Sequence, residues 1–182
     1  MSDPIILASK SAARRAVLEG AGVPFESIVA GVDEDAVKAS LLAEGATPRE
    51  IADALAELKA IRVARGRQGF VIGSDQTLEL DGQLYDKAES LEAARERLRL
   101  LRGKRHKLHS AVVVAKDGVP IWREVVTATL TMREFSDEFL EAYLVSEGDQ
   151  ALGSVGCYRL EGPGAQLFRA SKATTSLFWA CR

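Results

Sequence analysis

The sequence predicts a mixed α/β sheet with flanking helices, and three observations carry that reading. Short apolar runs alternate with amphipathic helical stretches through the first half of the chain. Strand patterns then dominate, punctuated by the two-residue turns Asp81-Gly82 and Asp117-Gly118. The 182 residues suit one compact domain, or two small lobes sharing a core, and no repeat, low-complexity tract or linker divides them.

Taken in order, Ile5 to Ala8 reads as a first strand. Ser9 or Ser11 caps a helix that carries Arg14 and Arg15 and closes at Gly20 and Gly22. A helix start after a strand offers backbone N–H groups to an anion, and arginines reinforce it. Phe25 to Val29 forms a second strand. Val32 to Asp35 is an acidic turn before a helix over Ala36 to Glu44; the acids suit a helix start, or a metal. Thr47-Pro48-Arg49-Glu50 has the signature of a capping box, and the helix continues to about Arg65. Ile51, Leu55, Leu58 and Arg62 lie along its buried side, with Lys59 at the border, placed to snorkel or to project charge into a cleft.

Phe70-Val71-Ile72 is an apolar run of the kind that a strand buried on both faces shows. Asp75 follows Gly73 where such a strand emerges at the carboxyl edge of a sheet, the side on which ligands collect. A two-residue loop at Asp81-Gly82 makes Leu80 face Gln83 and Gln76 face Lys87, returning an ammonium beside a carboxylate. Ser90 caps the next helix, with Leu91, Ala94, Leu98 and Leu101 inward and Gly103 at its end. Lys104 to Lys107 reads as a basic turn. His106 and His109 would face opposite sides of a strand and are rejected as a metal pair. Leu108 to Ala115 and Ile121 to Thr131 are strands, Ser136 caps a helix ending near Gly148, and Gly153 to Gly164 is glycine-rich around a short strand.

Composition excludes several functions. The chain is 47% hydrophobic with a net charge of −2, so nothing draws it generally to nucleic acid or to anionic membranes. Its first apolar run is too short for a signal peptide, and no stretch approaches bilayer-spanning length. Cys157 and Cys181 have no metal-ligand spacing and make no disulfide scaffold, which points to a reduced, cytoplasmic setting. Walker loops, nucleophile elbows and Cys–His pairs are absent from the sequence. What remains is a set of cations (Arg14, Lys59, Lys87), acids (Glu34, Asp75) and serines at a helix start. Without a protein nucleophile, these suit metal-assisted hydrolysis of a polyphosphate.

Leu7-Ala8-Ser9-x-Ser11…Arg14-Arg15, Val32-Asp33-Glu34, Leu55-Ala56-x-x-Lys59-Ala60, Gly73-Ser74-Asp75-Gln76 and Lys87, in that order, resemble the Maf family of nucleoside triphosphate pyrophosphatases. The resemblance covers about residues 5 to 168 and implies two lobes around a cleft, a fold similar to inosine triphosphate pyrophosphatases, and often a homodimer. It implies conversion of a nucleoside triphosphate and water to a monophosphate and pyrophosphate with Mg²⁺ or Mn²⁺. Asp75 matches the family's proton acceptor; Ser9, Arg14, Glu34, Lys59 and Lys87 match its other polar cleft positions, and Asp75 and Glu34 would share the metal. Ser11, Arg15, Ala13 and Gln76 join the substrate-binding set.

Ser74-Asp75-Gln76 is similar to the branch acting on 7-methyl-GTP, and Glu161, after Tyr158, matches that branch's base-recognising position. Ala12, Ala13, Asp86 and Ala88 depart from its pattern. The rival function is a nucleotide-binding regulator of septum formation without turnover. The tail Arg169 to Arg182 is atypical of the family. It is compatible with a reading frame shifted after about Phe168, in which suitable codons read Gly-Ile-Glu-Gly-Asp-Tyr, and resequencing the gene tests that origin.

Overall fold

The computed structural model describes residues 3–172. Strands are β1 (Ile5–Leu7), β2 (Glu26–Ser27), β3 (Phe70–Leu80), β4 (Gln83–Tyr85), β5 (Arg105–Lys116), β6 (Val119–Met132) and β7 (Phe168–Lys172). Helices are α1 (Ala12–Gly20), α2 (Glu34–Ala43), α3 (Pro48–Ala64), α4 (Leu91–Leu101) and α5 (Asp137–Glu147), with 3-10 turns at Gly148–Gly153 and Pro163–Leu167. The strands form one mixed sheet in the order β2-β1-β3-β5-β6-β7, with β4 paired to β3. The mixed α/β reading holds. The described residues divide into two compact units, 3–76 with 109–126, and 77–108 with 127–172. The tail beyond Lys172, and with it most of the stretch compatible with a shifted frame, lies outside the described residues.

In the first unit β1 runs parallel to both neighbours, with Ile6 opposite Val71 and Leu7 opposite Ser27. Ile6 of β1 and Ala8 just beyond it join Val71, Ala111, Val113 and Ala115 in a core covered by α3. Thr47 and Glu50 close the start of α3 with both halves of a capping box, and Pro48 needs no hydrogen-bond partner there. The buried face of α3 is Ile51, Ala52, Leu55, Ala56, Lys59, Ala60 and Val63. That face is rotated from the expected stripe: Leu58 is half-buried and Arg62 exposed. Small residues won over large ones because the helix lies close to β3. A Cβ on Gly73 would meet the Ala56 carbonyl oxygen at 2.1 Å and the Ala60 nitrogen at 2.6 Å, so only glycine fits. β3 therefore continues unbroken through Gly73 from Phe70 to Leu80, and Asp75 lies within the strand rather than where it emerges. Arg123 of β6 ties the solvent side of α3 by pairing with Asp53 and Glu57.

In the second unit Asp81 and Gly82 have φ of 53° and 81°, the left-handed pair that a tight two-residue hairpin turn requires. Leu80 then faces Gln83 and Leu78 faces Tyr85, the register the spacing predicts. Ser90 and Ser136 cap α4 and α5 as expected, and Arg95 joins the two helices through Glu141 at 2.6 and 2.9 Å. Two expectations fail here. Arg105 to Lys107 belong to β5 rather than to a turn, because burial alternates (Arg105 out, His106 in, Lys107 out, Leu108 in) beneath a run of charge. Residues 153–164 hold no strand. Ser154 Oγ donates to the Tyr158 carbonyl and accepts from the Tyr158 N–H, satisfying groups that a ladder would otherwise pair. Arg97 holds the Val155 carbonyl at 2.9 Å, and Tyr143 donates to the Cys157 carbonyl. The loop is thus built, not slack. Among the described residues no helix is long and apolar enough to cross a membrane.

Candidate active site

Six of the expected residues, Ser9, Ser11, Arg14, Glu34, Lys59 and Asp75, meet in the first unit. The chain leaves β1 at Leu7, and Ile28 N–H donates to the Leu7 carbonyl while Ala8 N–H donates to Ile72, so the exit of β1 is held from both sides. Ser9 then turns the chain. Its hydroxyl accepts from the Ser11 N–H and from Arg14 Nη1, each at 3.2 Å, and its carbonyl accepts from Ser27 Oγ at 2.7 Å. Ser11, not Ser9, is the cap of α1, accepting from the Arg14 N–H. Ser27 is a member of this cluster that sequence reading missed; nothing in the spacing of β2 marks it.

Lys59 reaches the same region from the buried face of α3. Its ammonium lies 2.7 Å from Asp75 Oδ1 and 2.9 Å from Glu34 Oε1. Lys59 and Asp75 are only 6% and 7% exposed, whereas the Glu34 side chain, at the start of α2, is 42% exposed. Burial raises the Asp75 carboxyl above its ordinary 3.8; Lys59 first, then Arg14, act against that rise, and Glu34 adds to it. Burial also lowers the Arg14 guanidinium, opposed by the charges of Asp75 and Glu34. Burial strengthens this carboxylate's hold on a proton, and a buried acid with a lysine and an arginine against it is the setting in which a carboxylate serves as a base.

The remaining expected residues are placed differently. Arg15 and Ala13 are exposed on α1. Gln76 follows Asp75 on one strand, so the two side chains leave opposite faces; Gln76 donates to Ser110 Oγ on β5 at 2.8 Å. Ser110 is a second residue not legible in the sequence. Lys87 and Glu161 belong to the second unit, where both are exposed: β4 stops at Tyr85, two residues short of Lys87, and Glu161 sits in the turn before Pro163. His106 is 1% exposed and bonds Tyr158 Oη at 2.7 Å, in a cluster with Phe168.

Asp75 and Glu34 converge on one point, the Lys59 nitrogen, and their oxygens are the hard donors that Mg²⁺ or Mn²⁺ prefers. Among the described residues no third histidine, cysteine, aspartate or glutamate joins them. Two carboxylates fit Mg²⁺, which keeps several waters and takes further ligands from substrate phosphates.

The family model described as Maf-like protein matches residues 4–176. The nucleoside triphosphate pyrophosphatase of Caulobacter vibrioides is 61% identical over 165 residues, 91% of this chain and 83% of that protein. The one from Granulibacter bethesdensis is 56% identical over 165 residues, covering 90% and 84% of the two chains. The 7-methyl-GTP pyrophosphatase of Brucella abortus is 48% identical over 169 residues, covering 92% and 85%. A match over residues 4–176, nearly the whole chain, means that the chain belongs to the family of Maf-like proteins.

Proposed function

We propose that this chain hydrolyses a nucleoside triphosphate to the monophosphate and pyrophosphate. The observation that carries the reading is Lys59 held between Asp75 and Glu34 beside the Ser9–Arg14 turn. The activity named for the relatives, at up to 61% identity among those cited, supports it.

Water attacks the α-phosphorus, the bond to the bridging oxygen breaks, and pyrophosphate leaves. Asp75 takes the proton of the attacking water; its raised pKa makes it a stronger base than an exposed aspartate. Lys59 and Arg14 offset charge that grows on the phosphates, and the Ser9–Ser11 turn at the start of α1 offers hydroxyls and backbone donors to their oxygens. Asp75 and Glu34 would hold Mg²⁺ or Mn²⁺, which when bound would supply Lewis-acid stabilisation of the charge on the triphosphate. Gln76 supports β3 at Asp75 through Ser110. Arg15 and Lys87 are assigned to the phosphates by charge.

Glu161 is assigned to the base, since a carboxylate accepts from the guanine N1–H and amino group. That makes a purine, with 7-methyl-GTP as the leading candidate, the preferred substrate. The 7-methyl-GTP pyrophosphatase from Brucella supports the choice. We place the activity in the cytoplasm, where a buried free thiol such as Cys157 persists, and propose a homodimer, to be measured by light scattering.

The test is pyrophosphate release from a nucleotide panel with Mg²⁺ or Mn²⁺. Release from none of the panel, with binding retained, would favour the septum regulator. A pyrimidine triphosphate turning over fastest would remove the role given to Glu161.

A further inference from the structure

Lys59 sits at the very point where a cation shared by Asp75 and Glu34 would sit, 2.7 and 2.9 Å from their oxygens. A hard divalent ion needs those oxygens at about 2.0–2.1 Å, so it and the ammonium exclude one another there. The local charges already balance, with Arg14 and Lys59 against Asp75 and Glu34. A lone divalent ion entering would face two cations in a poorly hydrated site. A triphosphate brings anions of its own, and those can take the ammonium.

We propose that Lys59 is a resident counter-ion that keeps free divalent metal out of the nucleotide-free protein, so that metal enters together with the triphosphate as Lys59 passes from the carboxylates to a phosphate oxygen. The two carboxylates differ in a way that enforces the exchange. Glu34, half open to water, tolerates losing the ammonium, whereas the Asp75 side chain, 9% exposed, needs a replacement charge at once. Lysine suits the transfer, being a compact charge on a flexible stem with three donors. The stem leaves α3 one turn from Leu55 and from Val63, both buried, so the ammonium swings while the helix stays fixed. This inference rests on the metal-assisted reading above and adds an order of binding to it.

The experiment is Mn²⁺ binding to nucleotide-free protein, followed by water-proton relaxation and by thermal melting, in wild type, Lys59→Met and Lys59→Met with Asp75→Asn. Expected is a gain in Mn²⁺ affinity of at least about tenfold in Lys59→Met, the effect of removing one cation in contact with the carboxylates, lost again in the double variant. Equal affinity in wild type and Lys59→Met overturns the proposal. If Lys59→Met does not fold, wild type decides alone. Mn²⁺ with a non-hydrolysable nucleoside triphosphate should then raise its melting temperature by more than the two separate shifts combined, and a simple sum overturns the exchange. No turnover is needed, so failure of the hydrolase reading is registered separately, as absent pyrophosphate release from the nucleotide panel.

Discussion

Gly73→Ala is the sharpest way to test whether packing sets the chemistry. The added Cβ would lie 2.1 Å from the Ala56 carbonyl oxygen, 2.6 Å from the Ala60 nitrogen and 2.8 Å from its Cβ. The first two are backbone atoms of α3, so no rotamer change relieves them. The helix must recede by about 1 Å to restore ordinary contact distances. Overpacking of this kind costs about 1–3 kcal/mol, and a rigid helix backbone argues for the upper end. The same displacement carries Lys59, three residues beyond Ala56, away from Asp75. A misplacement of about 1 Å is enough to lower turnover by roughly 10²-fold. Urea unfolding and pyrophosphate release on the same preparation measure the two effects. A variant within about 0.5 kcal/mol and twofold of wild type would show that α3 is not held where the close contact places it.

Three further predictions concern titrating groups. Asp75→Asn should lose turnover by about 10²–10⁴-fold while retaining nucleotide binding, as removal of a general base does; substantial residual turnover would assign the base elsewhere. Because burial raises the Asp75 carboxyl, kcat/KM should fall as pH drops through a value above 3.8, and Lys59→Met, which removes the opposing cation, should move that limb to higher pH; a pH–rate profile showing no move contradicts the assignment. His106 is buried and its pKa is lowered to about 4, so the folded protein binds its proton less tightly than the unfolded chain. Stability from this group is complete above about pH 6.5 and lost by about 3 kcal/mol as pH falls to about 4. Urea melts at several pH values should show that loss, and His106→Phe should remove it.

The parts of the fold legible in the sequence were those with local causes. The caps at Thr47, Ser90 and Ser136 and the Asp81-Gly82 hairpin depend on groups a few residues apart. Glu34, Lys59 and Asp75 could be proposed together from residue type and order, yet the fact that Lys59 bridges both acids needs α2, α3 and β3 in place. The buried face of α3 was misread because alanine carries little hydrophobic signal, though Ala52, Ala56 and Ala60 are what permit close approach. Ser27 and Ser110 were invisible for another reason. Each acts through a partner 18 or 34 positions away, and no periodicity encodes a hydrogen bond between strands.

A buried lysine paired with carboxylates is poor evidence of stability, and that distinguishes its purpose. Desolvating two charges costs about as much as their attraction returns, and replacing such pairs by apolar residues of similar volume is often neutral or stabilising by about 1–4 kcal/mol. Lys59 lies in a row with Leu55 and Val63 that would accept a methionine, and Asp75 follows Val71 and Gly73 on the core face of β3. The double variant Lys59→Met, Asp75→Leu should therefore be at least as stable as wild type in urea, while releasing no pyrophosphate. The destabilisation caused by Lys59→Met, measured against wild type at the same pH, should be larger at pH 8 than at pH 5, since Asp75, with its pKa raised, sheds its uncompensated charge on protonation. A double variant destabilised by more than about 3 kcal/mol would instead make the pair a structural strut. The chain would then have reason to keep Lys59 and Asp75 even without a substrate to hydrolyse.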